Sequence, residues 1–269
     1  MTPDPAGLAQ DAMARLAELR PDGGGHIITS DLTVSEFLLV KQAGFTPVGM
    51  VLGTSIYHVG VQPDQWNVNQ ELDVVSRAMY EARKLAMTRM QEEATALGAD
   101  GIVGVRLTVE HGERDSEGAE FLAMGTAVKA DDGQGLRGDD GRPFTSDLSG
   151  QDFWTLLRAG YAPLGMVMGV CVYQVARRTV GEIVDGLGLN AELPQATRAL
   201  YDARGLAMAR MRQEAEALNA EGIVGVQLDQ RNHSWGSHTT EFFALGTAVR
   251  PIRPDHEIPR PRLVLSLEW

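Results

Sequence analysis

The sequence predicts an α+β protein built as a tandem duplication of a small β-α-β-β unit. Each unit is a three-stranded antiparallel sheet carrying one long helix, with a short helix in front. Three observations predict this. Residues 79–107 (MYEARKLAMTRMQEEATALGADGIVGVRL) and 200–228 (LYDARGLAMARMRQEAEALNAEGIVGVQL) agree at 19 of 29 positions at an offset of 121, and a self-match at fixed offset marks a repeated structural unit. Within it, Leu72, Met79, Ala86, Met90 and Leu97 recur at helical spacing and form one apolar stripe. After each long helix come two apolar runs, GIVGVRLTVE with EFLAMGTAVKA and GIVGVQLDQR with EFFALGTAVRP, which read as strands.

The chain divides into an N-terminal helix and linker (1–26), a first domain (27–130), a linker (131–142), a second domain (143–252) and a proline-rich tail (253–269). Leu8, Met13, Leu16 and Leu19 give residues 6–20 the apolar side of a short helix, broken by Pro21 and Gly23–Gly25. The linker DDGQGLRGDDGR is rich in Gly and Asp and cannot form a core of its own. In the first domain, Thr33 with Glu36 forms a capping-box pattern and Gly44 stops the short helix; Ser149, Asp152 and Gly160 repeat this at an offset of 116. An apolar strand follows, FTPVGMVLGTSIYHV or YAPLGMVMGVCVYQV, in which Gly49, Gly53, Gly165 and Gly169 predict bulges or close backbone contacts. The offset then grows to 121, which places five extra residues of the second copy between Tyr173 and Tyr201. The long helices are expected over 70–97 and 192–218, ending at Gly98 and Asn219, two residue types that tolerate the left-handed backbone of a helix terminus. One helix covers one face of a small sheet. The other face needs a partner, so the units are expected to associate.

Composition narrows the function classes. A net charge of −12 and a pI near 4.9 oppose nucleic-acid backbones and anionic membrane surfaces. Cys171 is the only cysteine, which excludes an intrachain disulfide, and the N-terminus lacks a continuous apolar h-region. The expectation is a cytoplasmic protein with no nucleic-acid or membrane partner.

Several motifs occur in a fixed order in both copies: a GMVMG-type strand, A-R-x-x-A in the helix (Ala82-Arg83 to Ala86, Ala203-Arg204 to Ala207), A-L-x-A-[DE]-G-I-V-G-V, and the closing E-F-[LF]-A-[ML]-G-T-A-V. In these the chain resembles the YbjQ-like heavy-metal-binding domain family, an uncharacterised protein family. The resemblance implies a small α/β unit that assembles into a pentameric, propeller-like ring, and it implies no activity. For two fused copies it suggests five chains in two stacked rings, or one ring of mixed units; the stacked arrangement is the expectation. The second copy's VGEIVDGLG follows the family pattern, whereas the first copy has QPDQWNVNQ there.

Arg83 and Arg204 lie inside the apolar stripe of their helices, between Met79 and Met90 and between Leu200 and Met211. A charge on a buried face requires a partner, and the planar donor fork of Arg suits carboxylates. Glu120 and Glu241, which open the last strands, are the expected partners, with Glu93 and Glu214 as alternatives. These four candidates, Arg83, Arg204, Glu120 and Glu241, read first as structural ion pairs and second as an anion-binding site. For a metal, His233 and His238 in the loop NHSWGSH are the best pair. They have no histidine counterparts in the first copy, where Gly112 aligns with His233; likewise Cys171 aligns with Ser55. A metal site shared by both copies is therefore not written in His or Cys, and methionines such as Met87 and Met90 read as core fillers. GIVG at 101–104 and 222–225 has apolar middle residues and reads as a buried strand, not a nucleic-acid clamp.

In RLVLSLEW, residues 262–269, apolar and other residues alternate as in a half-buried strand. It would pair with the chain's own sheet or dock on a neighbour or another protein. No cofactor is expected. The reading is a non-enzymatic oligomeric scaffold or binding protein. The alternative is a metal-dependent or other small-molecule enzyme with its site at subunit interfaces.

Overall fold

The structure is a computed structural model that describes residues 27–58, 68–111, 118–133, 135–138, 140–176, 194–232 and 239–256. In the first copy, α1 (Val34–Gln42) leads into β1 (Phe45–His58) and a two-residue strand, β2 (Gln70–Glu71). The long helix α2 (Asp73–Ala96) and the strands β3 (Gly101–His111) and β4 (Gly118–Ala130) follow. The second copy repeats the plan with β5 (Phe144–Thr145), α3 (Gly150–Arg158), β6 (Tyr161–Gln174), α4 (Pro194–Ala217), β7 (Gly222–Asn232) and β8 (Thr239–Pro251). The duplicated α+β unit expected from the sequence is present. The helix expected over 6–20, the five extra residues of the second copy and the strand expected over 262–269 lie outside the described residues.

In each sheet the last strand is central: β4 lies antiparallel to β1 and β3, and β8 antiparallel to β6 and β7. Each sheet also takes a fourth strand from the other copy, because β5 runs parallel to β3 and β2 runs antiparallel to β6. The copies thus exchange backbone hydrogen bonds, a link that a three-stranded unit cannot show by its own pattern.

Local chemistry fixes the ends of the elements. Thr33 and Glu36 form a complete capping box on α1, and Ser149 accepts the Asp152 amide at the start of α3. The long helices end in left-handed residues, Gly98 (φ 71°) and Asn219 (φ 54°). In β1 and β6 the glycines have two separate uses. The register shifts between Pro47 and Gly49 and between Pro163 and Gly165, so these are bulges. Gly53 and Gly169 are instead seats for a helix. A Cβ on Gly169 would lie 1.9 Å from the Ala207 carbonyl oxygen and 2.7 Å from the Met211 nitrogen, and Gly53 repeats this against Ala86 and Met90. The A-R-x-x-A motif therefore has a packing cause: its last alanine is where helix backbone rests on strand backbone.

The strand period of two separates the faces. In the second sheet, Val167, Cys171 and Phe242 face α4, while Met168, Val170, Val172, Phe243 and Leu245 join the core cluster of α2. Helix α2 is thus held between two sheets, its own and the other copy's. Helix α4 carries buried Ala203, Ala207 and Met211 toward its own sheet, while Tyr201 and Arg204 are exposed. A third cluster joins the copies near the short helices. Phe45 packs edge-on to Phe144 and Phe153, with centroids 6.1 and 5.3 Å away. Leu136 packs on this cluster, and Arg137 pairs with Asp100 at 2.9 Å, which ties the residues between the copies to the first sheet.

Gly169→Ala is expected to lower stability by about 1–3 kcal/mol, since the obstacle is helix backbone. Gly205→Ala, at an exposed α4 position with nothing near its Cβ, should raise it by about 1 kcal/mol. Urea titration of the two variants checks the contrast.

Candidate functional site

The charged groups that sequence reading singled out meet at the seam between the copies, but not in the arrangement their positions suggest. Arg83 and Glu241 are both fully buried, with Arg83 Nη2 2.6 Å from Glu241 Oε1. The ion pair joins the α2 of one copy to the β8 of the other. Among the described residues Nε and Nη1 of Arg83 meet no acceptor. The guanidinium lies instead against Phe243, 4.2 Å from its centroid, and Phe121, at 5.3 Å, so ring faces take up part of its charge. Burial pulls the Arg83 pKa down and Glu241 opposes this.

The remaining candidates stand elsewhere. Arg204, expected on a buried stripe, is exposed and lies over Tyr201 at 4.7 Å. The reason is that α4 has a sheet on one side and α2 has a sheet on both. Glu120, expected to pair with an arginine within or between subunits, is exposed opposite Ile56 in the register. Glu93 and Glu214, the alternative arginine partners, have a different task. Glu93 accepts the Leu52 amide at 2.8 Å and Glu214 the Met168 amide at 2.7 Å, so they satisfy donors on the outer edges of β1 and β6. His233 and His238 lie outside the described residues.

Sequence reading missed the other bonds across the seam. Tyr80 of α2 donates to Glu214 of α4. Arg210 of α4 holds Glu71 with contacts of 2.5 and 3.0 Å and donates to the Val170 carbonyl at 2.6 Å. Ser76 accepts the Val172 amide at 2.8 Å. A short polar bracket recurs as well: Ser30 and Asp31 bind Thr126, and Ser146 and Asp147 bind Thr247. Its sequence signal is the repeated TSDL at 29–32 and 145–148. Two clefts, of about 490 and 360 Å³, flank the Tyr80–Glu214 contact. Burial raises the Glu214 pKa, against the hydrogen bonds from Tyr80 and Met168 that lower it. Burial likewise raises that of the Tyr80 phenol. Both groups hold their protons more tightly than in water.

Among the described residues a metal finds little to hold it. Among the described residues no three His, Cys, Asp or Glu side chains gather in a set that could take an ion. Cys171 is buried and its thiol is pushed up to about 12, chiefly by desolvation, so it is a poor source of thiolate. The described residues therefore do not fit a heavy-metal site.

Two consequences can be measured. Arg83→Met removes the buried guanidinium that Glu241 faces at 2.6 Å and should cost about 3–5 kcal/mol, while Arg83→Met with Glu241→Gln should recover most of it in urea titrations. For Glu214 the folded pKa lies above the unfolded one. Its contribution is therefore fully present below the ordinary carboxylate range and is lost as pH rises through the raised folded value. Relative to Glu214→Gln, the unmodified chain should gain thermal stability as pH falls toward the ordinary carboxylate range; a constant difference between the two overturns this.

Comparison with known proteins agrees with the duplicated architecture. The family model described as "Putative heavy-metal-binding" (YbjQ) matches residues 65–131 and 161–251, one segment in each copy. The encapsulin nanocompartment protein Rv1762c of Mycobacterium tuberculosis is 50% identical over 241 residues, covering 89% of this chain and 92% of that protein. A UPF0145 protein of Halobacterium salinarum is 45% identical over 104 residues, 39% of this chain but 88% of its own length. Another, from Halorubrum lacusprofundi, is 52% identical over 59 residues, 22% of this chain and 55% of its own. No helix among the described residues is long and apolar enough to cross a membrane. With both segments matched over more than half its length, the chain belongs to the YbjQ-type (UPF0145) family.

Proposed function

We propose that this protein is a non-enzymatic oligomeric scaffold or binding protein whose copies of the family domain are assembly units. One observation carries the reading: a whole helix and a two-residue strand of one copy cover the outer face and edge of the other copy's sheet. The charged groups at that seam are spent on holding it together, in the Arg83–Glu241, Arg210–Glu71 and Tyr80–Glu214 contacts. This geometry is heterologous, since the surface given differs from the surface received, and such contacts build rings or filaments. The relative named as a nanocompartment protein supports a role in a protein assembly of that kind. Five chains remain the proposed number. The side-by-side packing of the copies supports one ring of mixed units over two stacked rings, which would place the copies of a chain in different rings. The tail strand over 262–269 is proposed as an additional docking element.

A second reading, an enzyme acting on a small molecule, has the clefts beside Tyr80 and Glu214 in its favour, because pockets between packed units suit ligands.

Light scattering coupled to gel filtration should find a discrete mass several times that of one chain at micromolar concentration. A lone monomer overturns the scaffold reading. Metal analysis of the same sample should find no stoichiometric metal. Zinc or copper at one per chain, lost in His233→Ala with His238→Ala, would favour the enzyme.

A further inference from the structure

The two copies are nearly the same molecule, yet each keeps one surface that its twin has covered. In the second sheet, Val172 is 0% exposed under α2; its counterpart in the first sheet, Ile56, is 77% exposed. On β3, Val105 is 3% exposed because residues 144–148 lie along that edge; its counterpart Val226 on the open edge β7 is 45% exposed. Phe144, in the strand that covers β3, is 1% exposed; its counterpart Ile28 is 43% exposed. The open surfaces fall into two sets. One is the outer face of β1 and β4 with residues 28–32, and the other is the outer face of α4 with the edge of β7. These are the two halves of the contact that already exists inside the chain.

The charges follow the same rule. Inside the chain, Arg83 pairs with Glu241. On the open surfaces the counterparts are Arg204, exposed on α4, and Glu120, exposed on β4. Ser76, which accepts the Val172 amide across the internal seam, has Thr197 as its counterpart, another hydroxyl.

We infer that a second copy of this chain occupies these surfaces. Helix α4 of one chain seats on the β1–β4 face of the next, Arg204 pairs with the next chain's Glu120, and that chain's residues 28–32 lie along the β7 edge. This rests on the scaffold reading and names its contact. Every chain then gives one such surface and receives one, so association runs head to tail.

The test uses the full chain with Arg204→Glu, Glu120→Arg and both together. Both positions are exposed, so each variant should melt like the unmodified protein as a single chain. Each single reversal should raise the dissociation constant of the oligomer at least tenfold by light scattering, and the double reversal should restore it. Independently, Ile56→Cys with Thr197→Cys should give a ladder of disulfide-linked chains on oxidation, and neither cysteine alone should. An oligomer indifferent to the reversals and without a ladder overturns this contact and leaves the scaffold reading standing. An oligomer that dissociates on removal of residues 254–269 but not on charge reversal makes the tail the occupant and also overturns it. A monomeric unmodified chain overturns both.

Discussion

Everything in this fold turns on α2 having a sheet on each side. A helix buried on one face needs an apolar stripe, and one buried on two faces must be apolar or paired nearly all round. Its inner side does this with small residues, Ala82 and Ala86, which let the helix sink onto Gly53. Its outer side must instead carry groups that fit another copy's sheet: Ser76 for a strand amide, Tyr80 for Glu214, and Arg83 for Glu241. A buried ion pair is a weak source of net stability, because desolvation offsets most of the attraction. What it supplies is register. Arg83 can be accommodated only where a carboxylate and two ring faces await it, so the copies lock in one position along the seam.

The edges of the sheets obey the same constraint. β1 and β6 each present backbone groups on their outer side, an invitation to unwanted pairing. Each edge is closed by side chains of its own long helix. Glu93 and Arg89 serve Leu52 and Thr54, and Glu214 and Arg210 serve Met168 and Val170. Farther along β6, Leu72 and Ser76 of the first copy take over. The helix residues that look most like a catalytic set in a list of charged groups are therefore mostly edge closures.

The repeat, the order of elements and the glycine seats were legible in the sequence because they depend on contacts within one unit. Thr33 with Glu36, Gly98 and Asn219 announce helix ends by local chemistry, and spacing alone fixes the stripe through Met79, Ala86 and Met90. Arg83 and Arg204 were not separable in this way. They sit in the same motif, and their different burial is set by what lies across the outer face, which no local pattern encodes. The same holds for Glu93 and Glu241: both are buried carboxylates, but one meets a strand amide in its own copy and the other an arginine from its twin. The TSDL bracket was legible and was overlooked, because it lies where the offset is 116 and outside the long match at 121.

Duplication in one chain changes what such a contact can do. Two separate units meet only at the concentration of the protein, whereas fused units meet at the high effective concentration set by a short connection. Here the connection is itself held, by Arg137 on Asp100 and by Leu136 on the phenylalanine cluster, which favours the internal seam over contacts between separate chains. The copies were then free to diverge. The seam that is always closed could bury an arginine completely and trade Leu122 for Phe243 against it. A seam that must open and close could not, because an arginine buried without its carboxylate is costly. Arg204 on a solvated face, resting over Tyr201, is the form that such a residue takes when it must also be tolerable in the free chain. A ring of whole chains joined through this seam holds an even number of units, so any fivefold symmetry would belong to the chains and not to the single domains.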